Sequence, residues 1–133
     1  MQKLYISPTR NTPEINFSPE ENLFLIRGTS SPEDVRAMYY PVIEWFRAFA
    51  TMLSENKHSS AGEPVTLKMD LVYFNSSSAK FIYDILVELK NIAASGMPVV
   101  IEWYYEHGDY DLKDAGEDIS NIAEIPFTFI EKN

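Results

Sequence analysis

The chain has 133 residues, a length that fits one domain spanning 1–133. It is 45% hydrophobic and 14% aromatic, which describes a globular chain able to bury a core and excludes a disordered one. Its 20 acidic against 11 basic side chains leave a formal charge of −9, which argues against a nucleic-acid binder and against docking on anionic membranes.

In chain order, "KLYIS" reads as a strand, and "PTRNTPEINFSPEEN", rich in Pro, Asn and Ser, reads as turn. "LFLIRG" is a short apolar run closed by Gly28, so the two apolar runs suggest an N-terminal hairpin or two edge strands. "TSSPEDVRAMYYPVIEWFRAFATMLSEN" is helical. Ser31 suits the cap and Pro32 the first helical position, and Glu33 and Asp34 favour the positive end of the dipole. Val35, Met38, Tyr39, Val42, Phe46, Phe49 and Leu53 form one apolar stripe, with Trp45 on its flank as a further core residue. Pro41 lacks an N–H and clashes one turn back, so the reading is a short first turn and then a long helix from about Tyr40.

"NKHSSAGEP" (56–64) is a polar loop carrying His58. "VTLKMDLVYF" alternates and then runs apolar, as a central strand does. Phe81, Ile82, Ile85, Leu86, Leu89 and Ile92 mark an amphipathic helix that Gly96 and Pro98 stop. "VVIEWYYE" is a strand, "YDLKDAGEDISNIAEI" a shorter helix and "PFTFIEK" a closing strand. This order predicts an α/β fold, a mixed sheet with parallel inner strands covered by about three helices.

The stretch "LVYFNSSSAK" places Asn75, Ser76, Ser77 and Ser78 where a strand hands over to a helix. Groups beyond the carboxyl end of a strand, at a helix N-terminus, sit where free N–H groups and the dipole tolerate negative charge. A hydroxyl there is placed to receive a phosphoryl group, with Lys80 one turn further on able to reach the phosphate. Helix capping is the competing explanation for Asn75 and the serines.

Other chemistry has less support. With no cysteine, thiolate zinc sites, thiol catalysis and disulfides are excluded. There is no G-x-S-x-G elbow and no phosphate-cradling glycine loop, and the two histidines are His58 and His107. The acids Glu106, Asp109, Asp111, Asp114, Glu117 and Asp118 do not follow the spacing of a calcium loop, so no metal or cofactor is expected. They suit a solvated loop and a helix start, or an acidic rim facing a partner. Trp103, Tyr104 and Tyr105 read as core and sheet packing, with a partner contact through the outward face, at Tyr104, as the alternative. Lys68 and Asp70 share a strand face. "MQKLYISPTR" lacks the apolar core of a signal peptide and no run approaches a membrane span, so a soluble cytoplasmic protein without membrane insertion is expected.

A strand ending in Asp or Asn and then hydroxyls opening an amphipathic helix resembles anti-sigma-factor antagonists of the STAS type. The chain is more similar still to the STAS-like SiaC-type regulatory phosphoproteins. The residues that carry this are "TPEI", "PVIEWF", "MDLVYFNSSSAK", "IEWYYE", "DAGED" and "PFTFIE", spread over nearly the whole chain. The resemblance implies a single STAS-like domain working as a phosphorylation switch in bacterial biofilm and cyclic-di-GMP signalling. It implies a serine/threonine kinase of the histidine-kinase-like ATPase fold, a PP2C-type phosphatase, and a diguanylate cyclase activated by the unphosphorylated form. The hydroxyl after Asn75 is then the acceptor, Ser76, with Ser77 and Ser78 as lesser sites and Asn75 and Lys80 as its surroundings. Two alternatives stand beside this non-enzymatic switch: a small enzyme using Ser76 or His107, and an unswitched structural interaction protein.

Overall fold

The computed structural model describes residues 1–55 and 63–133, so most of the expected polar loop, including His58, lies outside the described residues. The elements are β1 (Leu4–Ile6), β2 (Glu14–Ser18), β3 (Leu23–Ser30), α1 (Val35–Glu55), β4 (Val65–Phe74), α2 (Ser76–Ala94), β5 (Val99–Glu106), α3 (Tyr110–Ala123) and β6 (Phe127–Lys132). They build one mixed six-stranded sheet whose spatial order is the chain order. β2 runs antiparallel to both of its neighbours, β1 and β3, and β3 to β6 run parallel, each joined to the next by a helix.

All three helices cover the same face, as the register shows. Ile15, Ile26, Met69, Trp103 and Phe129 lie in one row across the sheet, and Phe17, Phe24, Leu67, Ile101 and Phe127 in the next. At one end of these rows, Phe17 and Phe24 meet Trp45, Phe46 and Phe49 of α1. At the other end, the Trp103 indole N–H donates to the Leu112 carbonyl of α3 at 3.1 Å. α2 packs between α1 and α3. Trp103 and α3 approach so closely that a methyl group on Gly116 would come within 2.6 Å of the indole, so this helix position must be glycine. The opposite face, with Tyr5, Asn16, Leu25, Lys68, Glu102 and Thr128 in one row, has no helix over it among the described residues.

Four expectations are corrected. The segment read as turn contains β2: "EINFS" is only five residues long, bracketed by Pro13 and Pro19, yet Ile15 and Phe17 alternate inward and are fully buried. β3 is consequently an inner strand, and the sheet edges are β1 and β6. The first helix starts at Val35 and not at Pro32 behind a Ser31 cap: β3 runs to Ser30, the Ser31 N–H donates to the Asn11 carbonyl at 2.8 Å, and the Asp34 carboxylate accepts from the Ala37 N–H at 3.1 Å. Finally, Pro41 neither starts the helix nor interrupts it. The carbonyl it cannot bond is that of Ala37, and both residues are on the exposed side, where water can take the hydrogen bond.

The end of β4 departs from a buried central strand. Pairing with β5 stops at Met69–Trp103, while pairing with β3 continues to Phe74. A bulge opposite Gly28 and Thr29 leaves Val72 as the extra residue, so Val72 and Tyr73 are half exposed where the strand enters α2. Gly28 accommodates the bulge at φ 122°, a left-handed conformation that a side chain would strain.

Candidate functional site: the turn at the head of the second helix

The turn from β4 into α2 is built on one carbonyl. The Ser30 carbonyl, at the end of β3, accepts from the Asn75 N–H at 3.0 Å and from the Ser78 hydroxyl at 3.0 Å. Asn75 is the helix cap, and its Oδ1 accepts from the Ser78 N–H at 2.9 Å. The Ser30 hydroxyl donates to Ser78 Oγ at 2.7 Å and lies 2.6 Å from the Tyr39 hydroxyl of α1. Ser30, Tyr39 and Ser78 are each 0% exposed. Burial is the largest influence on the Tyr39 hydroxyl and raises its pKa despite the two serine hydroxyls nearby, so the phenol stays protonated at physiological pH.

The three serines are therefore not equivalent. Ser78 is buried and fully engaged, and its role is structural. Ser76 and Ser77 are exposed, and neither side chain makes a hydrogen bond among the described residues. Ser76 is the first residue of α2, whose first turn carries no acidic side chain. The positive end of this dipole is thus uncompensated, a favourable position for an added anion.

Lys80 lies one turn beyond Ser76 on the same side of the helix. Its ammonium is paired with Asp84 at 2.7 Å and sits 4.7 Å from the Phe81 ring. The pair is exposed, so it contributes little to stability and its lysine is easily re-partnered. Apolar and aromatic side chains surround the turn. Val72 and Tyr73 precede it, and half-exposed Tyr40 packs edge-on against Phe81. A shallow depression of about 310 Å³ runs from Val72, Tyr73 and Phe74 to Asp109 and Leu112 at the head of α3.

The remaining sequence candidates lie apart from this turn. His107 places Nδ1 3.2 Å from the Glu131 carboxylate and, among the described residues, makes no hydrogen bond to Ser76. The acids of 106–118 have separate duties. Asp109 caps α3 by accepting from the Leu112 N–H at 3.1 Å, Glu106 lies 3.4 Å from Lys132, and Glu117 lies 3.8 Å from Lys113. Among the described residues, no three His, Asp or Glu side chains converge as a metal site would require.

On the uncovered face, Asp70 pairs with Lys132 at 2.6 Å and not with Lys68. Hydrogen bonding to Asp70 raises the Lys132 pKa. Tyr104 donates to Glu102 at 2.8 Å, and its pKa is pushed up to about 12 by desolvation and by that carboxylate. Ser30 and Tyr39 were not legible as site residues. Tyr39 reads as one member of an apolar stripe, and Ser30 is 48 positions from its partner Ser78.

A cap, two exposed hydroxyls and a first turn without acids thus meet at the head of α2, and residues 6–132 match the model of the SiaC family of regulatory phosphoproteins. The chain belongs to the SiaC family. Over 127 residues it is 28% identical to an uncharacterised protein of Pseudomonas aeruginosa strain UCBPP-PA14, covering 96% of this chain and 94% of that one. The structure of apo-SiaC from P. aeruginosa matches it with a TM-score of 0.81 at 27% identity, over 98% of this chain and 99% of that chain. A chain in the crystal structure of the diguanylate cyclase SiaD in complex with its activator SiaC, also from P. aeruginosa, matches with a TM-score of 0.83 at 26% identity, over 97% and 99% of the two chains. The single α/β domain with its mixed sheet is thus the SiaC fold, and the chain is placed among regulatory phosphoproteins. Among the described residues, no helix is long and apolar enough to cross a membrane.

Proposed function

We propose that this SiaC-family chain is a non-enzymatic switch in cyclic-di-GMP signalling, read out by partner binding and set by phosphorylation of Ser76. The unphosphorylated form binds a diguanylate cyclase and activates it, as the SiaC of the P. aeruginosa complex is the activator of SiaD. A serine/threonine kinase of the histidine-kinase-like ATPase fold adds the phosphate, and a PP2C-type phosphatase removes it.

The observation that carries this reading is the division of labour among the serines. Ser76 is exposed at an uncompensated helix N-terminus, while Ser78 is sealed below it. Phosphorylation adds a charge of about −1.5 to −2 and three acceptor oxygens. The helix N-terminus tolerates that charge, and Lys80 is one turn away to exchange Asp84 for the phosphate. A partner packed over Val72, Tyr73 and Tyr40 does not tolerate it, because the dianion must be desolvated under the interface. With a formal charge of −9 the chain suits partners with basic surfaces, so the loss of binding is carried by desolvation of the dianion within the contact and not by long-range repulsion.

The test is intact and site-mapped mass on protein incubated with ATP and a serine/threonine kinase of the histidine-kinase-like ATPase fold from the same organism, with Ser76→Ala in parallel. A single phosphate on Ser76, absent from the variant, is the expected result, together with loss of cyclase binding by Ser76→Asp. A Ser76→Asp variant that binds the cyclase as tightly as the wild type overturns the switch.

A further inference from the structure

The protons in the buried hydroxyl cluster run in one direction. Ser78 donates to the Ser30 carbonyl, and Ser30 donates to Ser78 Oγ. The Ser30 proton is thereby used, so the Tyr39 hydroxyl, 2.6 Å away, must donate to Ser30 Oγ. The chain Tyr39 to Ser30 to Ser78 to the Ser30 carbonyl uses each hydroxyl proton once, in a site with no water-exposed surface.

Its geometric effect is a clamp. Asn75 and Ser78 are both tied to the Ser30 carbonyl, one through its N–H and the other through its hydroxyl. Of the four residues of the turn, the first and last are pinned to one atom, and Ser76 and Ser77 arch outward between them. Tyr39 stiffens the clamp from the α1 side, with its ring stacked on Phe81 of α2 at 5.8 Å and 11°.

We propose that Ser30, Tyr39 and Ser78 are positioning residues for the phosphoacceptor: through the clamp they hold Ser76 in one presentation and decide that it, and not Ser77, receives the phosphate. The inference rests on Ser76 being the acceptor. Ser76 and Ser77 are adjacent, both exposed and chemically identical, so residue type and exposure alone do not choose between them; a fixed arch can, because it presents one hydroxyl to an incoming γ-phosphate at a time. Phosphoryl transfer depends on in-line positioning, and a misplacement of about 1 Å costs up to about a hundredfold in rate.

Tyr39→Phe is the least disruptive probe, since it removes one oxygen and keeps the stacked ring; Ser30→Ala removes the next link. Site-mapped mass and steady-state kinetics are measured with ATP and the same kinase. Amide hydrogen exchange is measured without any kinase, at Ser78 and, as control, at Leu67 and Ile101 in the sheet. In both variants the share of phosphate on Ser77 should rise several-fold and kcat should fall by about tenfold, with KM little changed because the surrounding surface is intact. Ser78 exchange should quicken by about tenfold while the control amides hold. Wild-type site choice and kcat in both variants overturn the clamp and leave the switch standing. If wild type takes phosphate on neither serine, the switch itself falls, and exchange then judges the clamp alone. A Ser78 amide no faster in Tyr39→Phe overturns the clamp as well, and faster exchange with unchanged controls leaves it as a brace of the turn and overturns its role in choosing an acceptor.

Discussion

Two helix N-termini sit at the carboxyl ends of neighbouring parallel strands and are built to one plan with opposite charge. α2 is capped by Asn75 and α3 by Asp109, and each side chain accepts from the N–H three residues on. The α2 cap is neutral and its first turn has no acid, whereas α3 has a carboxylate cap and adds Asp111. α3 has thus neutralised its own dipole, and α2 keeps its positive end open. Identical hydrogen bonding with different charge separates a helix start whose dipole is met from within the chain from one whose positive end is left open to an outside anion.

The comparison can be broken or sharpened by substitution. The largest effect is expected where packing holds α3 in place. Gly116→Ala should destabilise the fold by about 1–3 kcal/mol, because the added methyl meets the Trp103 indole. Urea denaturation measures this, and phosphorylation of Ser76 at permissive temperature should be unchanged.

Removing either cap comes next. Asn75→Ala and Asp109→Ala should each lower stability by about 1 kcal/mol in the same assay. Equal losses mean that capping is shared, and only the Asn75 variant should disturb phosphorylation.

Swapping the charges is gentler. Asn75→Asp should stabilise and Asp109→Asn should destabilise, each by about 0.3–1 kcal/mol at low salt, and both effects should fade in molar salt. Effects of the same sign would sink the charge argument.

The smallest effect belongs to a control on the sheet's uncovered face. Hydrogen bonding to Asp70 raises the Lys132 pKa above its ordinary 10.5. A raised lysine contributes stability that is fully present below its unfolded pKa and lost as pH rises through the folded one. Wild type should therefore exceed Lys132→Met by less than about 1 kcal/mol at neutral pH, and the gap should close above pH ~10.5. Neither helix start should respond.

The parts of the molecule legible in its sequence are those where a local pattern and the tertiary fold agree. β4, α2 and β5 follow from their alternation or helical stripe, and the six apolar positions read on α2 are all buried. β2 was missed because two alternating apolar residues between prolines carry too short a period. Pro41 misled because the cost of a helix-interior proline depends on whether the orphaned carbonyl meets water, which is a tertiary fact. At the site, Asn75 and the serines were visible as a strand-to-helix handover. Their sorting into exposed Ser76 and Ser77 and sealed Ser78 was not, because it depends on Ser30 and Tyr39 from an earlier strand and helix. The bulge that turns Val72 and Tyr73 outward was likewise hidden inside an apolar run.

The strictly sequential strand order has a consequence for how the protein is made. Each strand docks beside the one synthesised before it, and the sheet grows from one edge without any later strand inserting between earlier ones. Ser30 and Tyr39 leave the ribosome before Asn75 and Ser78, so the strand carbonyl and the hydroxyls that hold the turn from below already exist when the turn itself is translated. Domains build from the N-terminus during synthesis, at about 5–20 residues per second. β5, α3 and β6 then add to the far side, as later layers on a half that already carries its site.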